Sequence, residues 1–423
     1  MQAVIIAGGK GKRLGLKDIP KPMVMLNGKP LIEHQIILAK EYGIKEFFIL
    51  SGHLAYVIED YFKTGDKWGV KIHHFVEQQP LGTAGCLKSL EGILKDRFLV
   101  LYGDIVMNFD IKSFIEFDAK HNSIGTILVH PNNHPYDSDL LEMNGDNKIT
   151  KVIPKPHNNG EFYQNLVNSA VYIFSNKIFD YIKSNQLQDL AKDILPKIIK
   201  ENENLYGYKS AEYIKDMGTK DRFEDIKKDF QSGKVARLNK KYKRPCIFLD
   251  RDGVVNKNMD TSPSAEMFEL LEGVTDAIKK INKSDYLSVI VTNQPMIAKG
   301  FVSFEEVENT HKKMESLLGE QQAFIDNIYF CPHHPQKGFE GEIKELKKEC
   351  ECRKPKSGML LEATKDMNIE LKKSWIVGDS ESDLIAGKNI GCKSVFISEQ
   401  HSPYADFYAK DLNEAIDLIM ENS

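Results

Sequence analysis

The sequence predicts an α/β protein of two domains, each a mostly parallel sheet flanked by helices. Three observations carry this. Short apolar runs alternate with helical patterns along the whole chain, which implies layered α/β architecture. The chain begins twice: a strand and glycine-rich loop open it as "VIIAGGKGKRLG", and another strand ends on acids at "FLDRDGVVN", residues 248–256. Finally, 423 residues are the length of two domains at about 100–200 residues each.

In order, "AVIIA", "EFFIL", "RFLVLYGD", "GTILV" and "SAVYIF" read as strands of the first half, and "PLIEHQIILAKEYG" has helical spacing and a glycine stop. The second half continues with strands "CIFLD", "LSVIVTN", "SWIVGD" and "SVFIS", separated by helical stretches such as "VTDAIKKINKS" and "SFEEVENTHKKMESLLG". Between the halves, "DIKKDFQSGKVARLNKKYKRP" starts helical and turns basic and weakly periodic. The expected division is a first domain over 1–232, a linker over 233–244 and a second domain over 245–423.

Hydrophobic residues make up 41% of the chain, charged residues 28%, and the net charge is −4. This balance gives no electrostatic case for a nucleic-acid or membrane partner. No apolar run approaches the roughly 18 residues of a membrane span, and "MQAVIIAGG" lacks a signal-peptide pattern. A cytoplasmic protein acting on small molecules is expected, with oligomeric state left open. Of six cysteines, Cys331, Cys350 and Cys352 cluster, which in a cytosolic chain points to metal or catalysis rather than a disulfide framework.

The loop "AGGKGKRLG" fits neither G-x-x-x-x-G-K-[ST] nor G-x-G-x-x-G. Gly8, Gly9 and Gly11 still let backbone N–H groups approach phosphate oxygens, with Lys10, Lys12 and Arg13 beside them. Downstream, "IPKPM" fixes Lys21 between two prolines, a preorganised cation of the kind that stabilises a phosphoryl transition state.

G-G-x-G-x-R-L followed by P-K-P-M resembles the sugar-nucleotidyltransferases, over about residues 1–230. The resemblance implies a Rossmann-like fold and transfer of a nucleotidyl group to a sugar 1-phosphate. It implies that Gly82 and Thr83 of "EQQPLGTAG" face the nucleotide and that Asp104 and Asp216 hold Mg²⁺. It assigns Lys155 of "VIPKP" to the sugar phosphate and Asn168 of "LVNSAVYIF" to the sugar. Pro154 stands where many relatives have Glu, a departure that bears on the usual hexose substrates. The implied chemistry is attack of the sugar phosphate on the α-phosphorus with loss of pyrophosphate, Arg13 and Lys21 stabilising charge.

In the second half, residues i and i+2 of an extended segment face the same way, so Asp250 and Asp252 are expected to point into one site. An EF-hand is excluded, because Val255 and Thr261 stand where that loop needs Gly and Glu. "LDRDGVVN" resembles the haloacid dehalogenase superfamily of phosphatases. The resemblance implies Asp250 as nucleophile and Asp252 as acid and base, with Thr292 and Asn293 of "VIVTNQ" on the phosphate. It also implies Lys354 of "CRKP" as neutralising cation, and Mg²⁺ at Asp250, Asp252 and Asp379, with Asp383 nearby.

"CPHHP…CECRKP" offers Cys331, Cys350, Cys352 and either His333 or His334. Three thiolates and one imidazole make a closed, structural tetrahedral zinc site; the C-x-H family pattern favours His333. Arg353 follows directly, placed to bind a second phosphate. This zinc-loop form resembles the D-glycero-D-manno-heptose 1,7-bisphosphate 7-phosphatases and the histidinol-phosphate phosphatases, although Pro295-Met296 departs from the usual Ser-Gly. A 7-phosphatase leaves a heptose 1-phosphate, which a nucleotidyltransferase consumes, and "DIPKPM" and "PLGTAG" are similar to the heptose 1-phosphate guanylyltransferases. The expectation is one chain with both activities, making a GDP-heptose from GTP. The alternatives are a mannose or glucose 1-phosphate substrate beside an unrelated phosphatase, or a degenerate nucleotide-sugar sensor regulating the phosphatase.

Overall fold

The computed structural model describes residues 1–9, 18–158, 160–259 and 264–422. They form two compact units: residues 1–130, 139–155 and 166–239, and residues 131–138, 156–165 and 240–423. The stretch expected as a linker carries a short helix, Lys234–Arg237, and Val235 and Leu238 are buried beside Val24, Leu26 and Ile226.

The first unit is built on β1 (Gln2–Ile6), the hairpin β2 (Met25–Leu26) and β3 (Lys29–Pro30), β4 (Glu46–Ser51), β5 (Lys71–Val76), β6 (Arg97–Tyr102), β7 (Ile105–Asn108), β8 (Gly125–His130), β9 (Leu140–Met143), β10 (Ile149–Ile153), β11 (Val167–Ser175), β12 (Leu205–Lys209) and β13 (Tyr213–Asp216). Nine of these form one sheet ordered β10-β9-β11-β6-β1-β4-β5, with β8 joining β11 to β12. β1 is parallel to both β4 and β6, whereas β11 runs antiparallel to β6 and β8. Alternate residues of β1 enter different cores, Val4 with Phe98 and Val100, Ala3 and Ile5 with Ile32 and Ile36. That two-sided burial is why the strands are apolar almost throughout. β7 and β13 form a separate antiparallel pair.

The second unit holds β14 (Cys246–Leu249), β15 (Leu287–Asn293), β16 (Asn327–Cys331), β17 (Trp375–Gly378), β18 (Lys393–Ile397) and β19 (Phe407–Ala409). They make an all-parallel sheet ordered β16-β15-β14-β17-β18-β19. All four residues of β14 are buried. Residues 131–138 and 156–165 belong to this unit; the Tyr163 and Asn165 N–H groups donate to Ser316 Oγ at 3.0 Å and Glu315 Oε2 at 3.3 Å. No helix among the described residues is long and apolar enough to cross a membrane.

Candidate active sites

Parallel strands bring their carboxyl ends to one edge of a sheet, where α/β proteins place ligands. In the second unit β14 ends at Leu249, and the Asp250 N–H donates to Val377 O of β17 at 3.0 Å. Asp379 follows β17, and Thr292 and Asn293 close β15. Carboxylate oxygens of Asp250, Asp379 and Asp383 all lie within 4.8 Å of one another. Lys354 Nζ sits 2.9 Å from Asp250 Oδ1, 2.5 Å from Asp383 Oδ1 and 2.8 Å from Val291 O. Gly253, at φ +81°, leaves room for this cluster: a Cβ there would come within 2.0 Å of Asp379 Oδ2.

Burial, followed by the charge of Asp383, pushes Asp250 up to about 7, against the pull of Lys354. The same two causes push Asp379 up to about 6. Three carboxylates facing one ammonium are short of positive charge, and hard oxygen donors suit a divalent cation, so these residues fit Mg²⁺.

Asp252 is not in this 4.8 Å group, although its charge also raises Asp379. β14 ends before Asp250, so the alternation expected of an extended segment does not reach Asp252. Its carboxylate takes both oxygens to Arg251 at 3.0 and 2.9 Å and also accepts from Asn256 Nδ2 at 3.0 Å and Gln294 Nε2 at 2.8 Å. The acid that joins Asp250 and Asp379 is Asp383, held in a capping box with Ser380 at the start of a helix. Thr292 Oγ1 accepts from the same Gln294 amide at 3.0 Å. Asn293 grips the Lys354 backbone from both sides, accepting its N–H and donating to its carbonyl, each at 3.1 Å.

The sequence reading passed over Arg251, Gln294 and His311. Arg251 is 1% exposed and also bonds His311 Nε2 at 3.1 Å. Its place between two aspartates was the available signal, whereas His311 arrives from a distant helix, Phe304–Glu320, with no local mark.

The cysteine cluster forms at the end of β16. Sγ separations are 3.5 Å for Cys331–Cys350, 3.2 Å for Cys331–Cys352 and 3.3 Å for Cys350–Cys352. His333 Nδ1 lies 3.6 Å from Cys331 and 3.3 Å from Cys352. Three thiols and one imidazole converge within 4.8 Å of one another, with sulfurs well beyond the roughly 2.05 Å of a disulfide and somewhat closer than the roughly 3.8 Å that Zn–S bonds of about 2.3 Å give in a tetrahedron, so the donor set fits zinc and not a disulfide. His334 is turned elsewhere, its Nδ1 accepting from the Gln336 N–H at 3.2 Å. Arg353 donates to His333 O at 3.3 Å, which ties it to the metal loop.

In the first unit, Gly8 and Gly9 follow β1, while Lys10, Gly11, Lys12 and Arg13 lie outside the described residues. A Cβ on Gly8 would come within 2.8 Å of Glu77 Oε2; Glu77 is raised by burial and opens the "EQQPLGTAG" stretch. Lys21 Nζ pairs with Asp104 Oδ2 at 2.7 Å. Asp216 of β13 is registered opposite Ile105 of β7, which sets it beside Asp104; the Met217 N–H donates to Asp104 O at 3.3 Å. Arg222 Nη1 lies 3.0 Å from both Asp216 oxygens. Two half-exposed carboxylates fit a Mg²⁺ that keeps waters and shares substrate phosphates.

Gly82 and Thr83 are committed within the fold. Gly82 has φ +73° and a Cβ would clash with Gln188 O at 2.4 Å. Thr83 Oγ1 donates to Asp189 Oδ2 at 3.0 Å and accepts the Leu190 N–H at 2.8 Å. Asp139, unremarked in the sequence, brings Lys155 and Asn168 together. Its Oδ1 accepts the Lys155 N–H at 3.1 Å and its carbonyl accepts the Asn168 N–H at 3.0 Å.

A nucleotidyl transferase family model matches residues 2–233, and a HAD-hydrolase-like model matches residues 351–415. The D-glycero-beta-D-manno-heptose-1,7-bisphosphate 7-phosphatase of Haemophilus influenzae is 44% identical over 148 residues, 35% of this chain and 77% of that protein. Among solved structures, HddC from Yersinia pseudotuberculosis complexed with GMP-PN is 26% identical with a TM-score of 0.47, covering 54% of this chain and 99% of that one. The D,D-heptose 1,7-bisphosphate phosphatase from B. bronchiseptica, complexed with magnesium and phosphate, is 28% identical with a TM-score of 0.37, covering 42% and 99%.

Proposed function

Because the chain belongs to the nucleotidyl transferase family through residues 2–233 and, in its second half, to the family of the heptose-1,7-bisphosphate 7-phosphatases, we propose that it carries out two consecutive steps of nucleotide-heptose synthesis. It hydrolyses the 7-phosphate of D-glycero-D-manno-heptose 1,7-bisphosphate, then transfers GMP from GTP to the resulting heptose 1-phosphate. The observation that carries this reading is a pair of lysine–aspartate sites, Lys354–Asp250 and Lys21–Asp104, each at the carboxyl end of its own sheet.

In the phosphatase, Asp250 attacks phosphorus and the bond to the sugar oxygen breaks. Asp252 donates a proton to that leaving oxygen, then takes one from the water that hydrolyses the aspartyl-phosphate, releasing inorganic phosphate and regenerating Asp250. Arg251 and Gln294 hold Asp252 for both transfers. Asn293 holds Lys354 against the charge that builds on Asp250. Thr292 and Asn293 border the phosphate, and Arg353 takes the second phosphate.

In the transferase, an oxygen of the sugar phosphate attacks the α-phosphorus and pyrophosphate leaves, so catalysis is orientation and electrostatics. Lys21 and Arg13 stabilise the transition state, Gly8, Gly9 and Gly11 together with Gly82 and Thr83 at the start of the helix Gly82–Leu87 border the nucleotide, and Lys155 and Asn168 hold the sugar phosphate. Asp104 and Asp216 in one site, and Asp250, Asp379 and Asp383 in the other, would hold magnesium, which would supply positive charge to phosphoryl oxygens. Cys331, His333, Cys350 and Cys352 would hold zinc, which would fix the loop that carries Arg353 and Lys354.

A product screen of heptose 1-phosphate with each of four nucleoside triphosphates tests the second step. A GDP-sugar and pyrophosphate are expected with GTP. Equal use of ATP would overturn the guanylyl assignment, and no pyrophosphate with any triphosphate would overturn the transferase.

A further inference from the structure

Asp252 is held from two sides, and the two sides differ in how firmly they are rooted. Gln294 Nε2 donates to Asp252 Oδ2 at 2.8 Å and to Thr292 Oγ1 at 3.0 Å. The Gln294 N–H in turn donates to Cys331 O, the last residue of β16, at 2.8 Å, so this side is anchored in the sheet. On the other side Arg251 Nη2 reaches both Asp252 oxygens at 3.0 and 2.9 Å. The Arg251 carbonyl accepts the N–H groups of Val255 and Asn256 at 2.8 and 3.1 Å, which fixes its backbone in a turn. Its guanidinium lies at the far end of a long side chain and needs an anchor of its own.

That anchor is His311, whose Nε2 lies 3.1 Å from Arg251 Nη1. A guanidinium carries donors only, so the ring nitrogen is the acceptor, and the pairing requires a neutral His311 with its proton on Nδ1. Both partners are buried, Arg251 at 1% and His311 at 7% exposed. His311 comes from the helix Phe304–Glu320, whose start is locked by a capping box between Ser303 and Glu306. It shares the buried stripe of that helix with Val307, Met314 and Leu318, and its ring stands 5.5 Å from that of Phe330 in β16. The planar cation is thus held at both ends, Nη1 by the helix and Nη2 by Asp252, which leaves it one orientation.

We propose that His311 is a positioning residue of the phosphatase: as acceptor for Arg251 it fixes the guanidinium, and through it the plane of the Asp252 carboxylate. This rests on the reading of Asp252 as proton donor and acceptor. Asp252 must present a proton to the leaving oxygen and then take one from water, and each transfer needs hydrogen-bond distance to the reacting oxygen. A carboxylate that turns away therefore costs rate rather than substrate affinity. A histidine that served only the core would give way to an apolar side chain with no loss that depends on Asp252.

The test is steady-state phosphate release by the full chain from heptose 1,7-bisphosphate with Mg²⁺, comparing His311→Gln, His311→Leu, Asp252→Asn and the double variant of Asp252→Asn with His311→Leu. Glutamine keeps an acceptor for Arg251 and leucine removes it. His311→Leu should lower kcat about tenfold with KM unchanged, part of the roughly 100-fold that a displaced catalytic group can cost, while His311→Gln should stay within about threefold of the parent. In the Asp252→Asn background His311→Leu should cost nothing more, because residues that act as a unit are not additive. Where leucine does not fold, His311→Phe, which keeps a ring beside Phe330 and no acceptor, takes its place. An equal loss in both backgrounds, a glutamine variant as slow as the apolar one, or an unchanged kcat in the apolar variant would overturn the role of His311. Near-normal turnover in Asp252→Asn would overturn the reading of Asp252 and the role of His311 together.

Discussion

Lys354 and Asp250 meet at the carboxyl end of β14, with Nζ 2.9 Å from Oδ1, and the same ammonium reaches the fully buried Asp383. One cation thus braces the proposed nucleophile and a neighbouring carboxylate. Because this arrangement is complete within the second unit, Asp250→Asn should abolish phosphate release while pyrophosphate release continues. Measuring both products on one folded preparation checks this, and joint loss would defeat the two-site account.

Lys21→Ala and Asp216→Ala should each slow pyrophosphate release by about 10²–10³, the cost of losing one preorganised charge at a transition state. Phosphate release should be unaffected. Near-normal turnover in both variants would remove Lys21 and Asp216 from the transferase site.

Zinc should copurify at one ion per chain without being added, since three thiols and one imidazole converge within 4.8 Å of one another. Cys350→Ser should lower occupancy in elemental analysis and weaken phosphate release, because Lys354 and Arg353 follow the last ligand. Finding no metal would leave the cysteines as a reduced cluster.

Magnesium binding should depend on pH. Asp250 and Asp379 sit at about 7 and about 6, above the roughly 3.9 of an unfolded aspartate. The metal-free folded state therefore binds protons that the unfolded state has released, and these groups make stability fall as pH rises from about 4 to about 7. Mg²⁺ competes with those protons, so its stabilisation of the second unit should be larger at pH 7.5 than at pH 5.5. A thermal shift of equal size at both values would contradict the cluster as the magnesium site.

Nine strands, β1, β4, β6, β8 and β11 in the first unit and β14, β15, β17 and β18 in the second, were legible because buried strands are apolar runs, and Asp104, Asp250 and Asp379 follow three of them; the sheet order and the remaining, more polar strands such as β10 and β12 were not. Local rules reached no further than local structure. The alternation that paired Asp252 with Asp250 holds only inside a strand, and β14 had already ended. Thr83 lies in the first turn of a helix, Gly82–Leu87, and its hydroxyl donates to Asp189, a partner no spacing could announce. The grouping of 131–138 and 156–165 with the second unit was equally silent, since polar stretches rich in Asn and Pro read only as loops and carry no mark of a partner far along the chain.

The most direct measurement follows the intact protein by phosphorus NMR with heptose 1,7-bisphosphate, GTP and Mg²⁺. Phosphate should leave position 7 first, and a GDP-sugar and pyrophosphate should then appear together. Replacing GTP by ATP should sharply reduce the nucleotide sugar while inorganic phosphate forms as before. Release of phosphate from position 1 would contradict the account, because the transferase would then be left without a substrate.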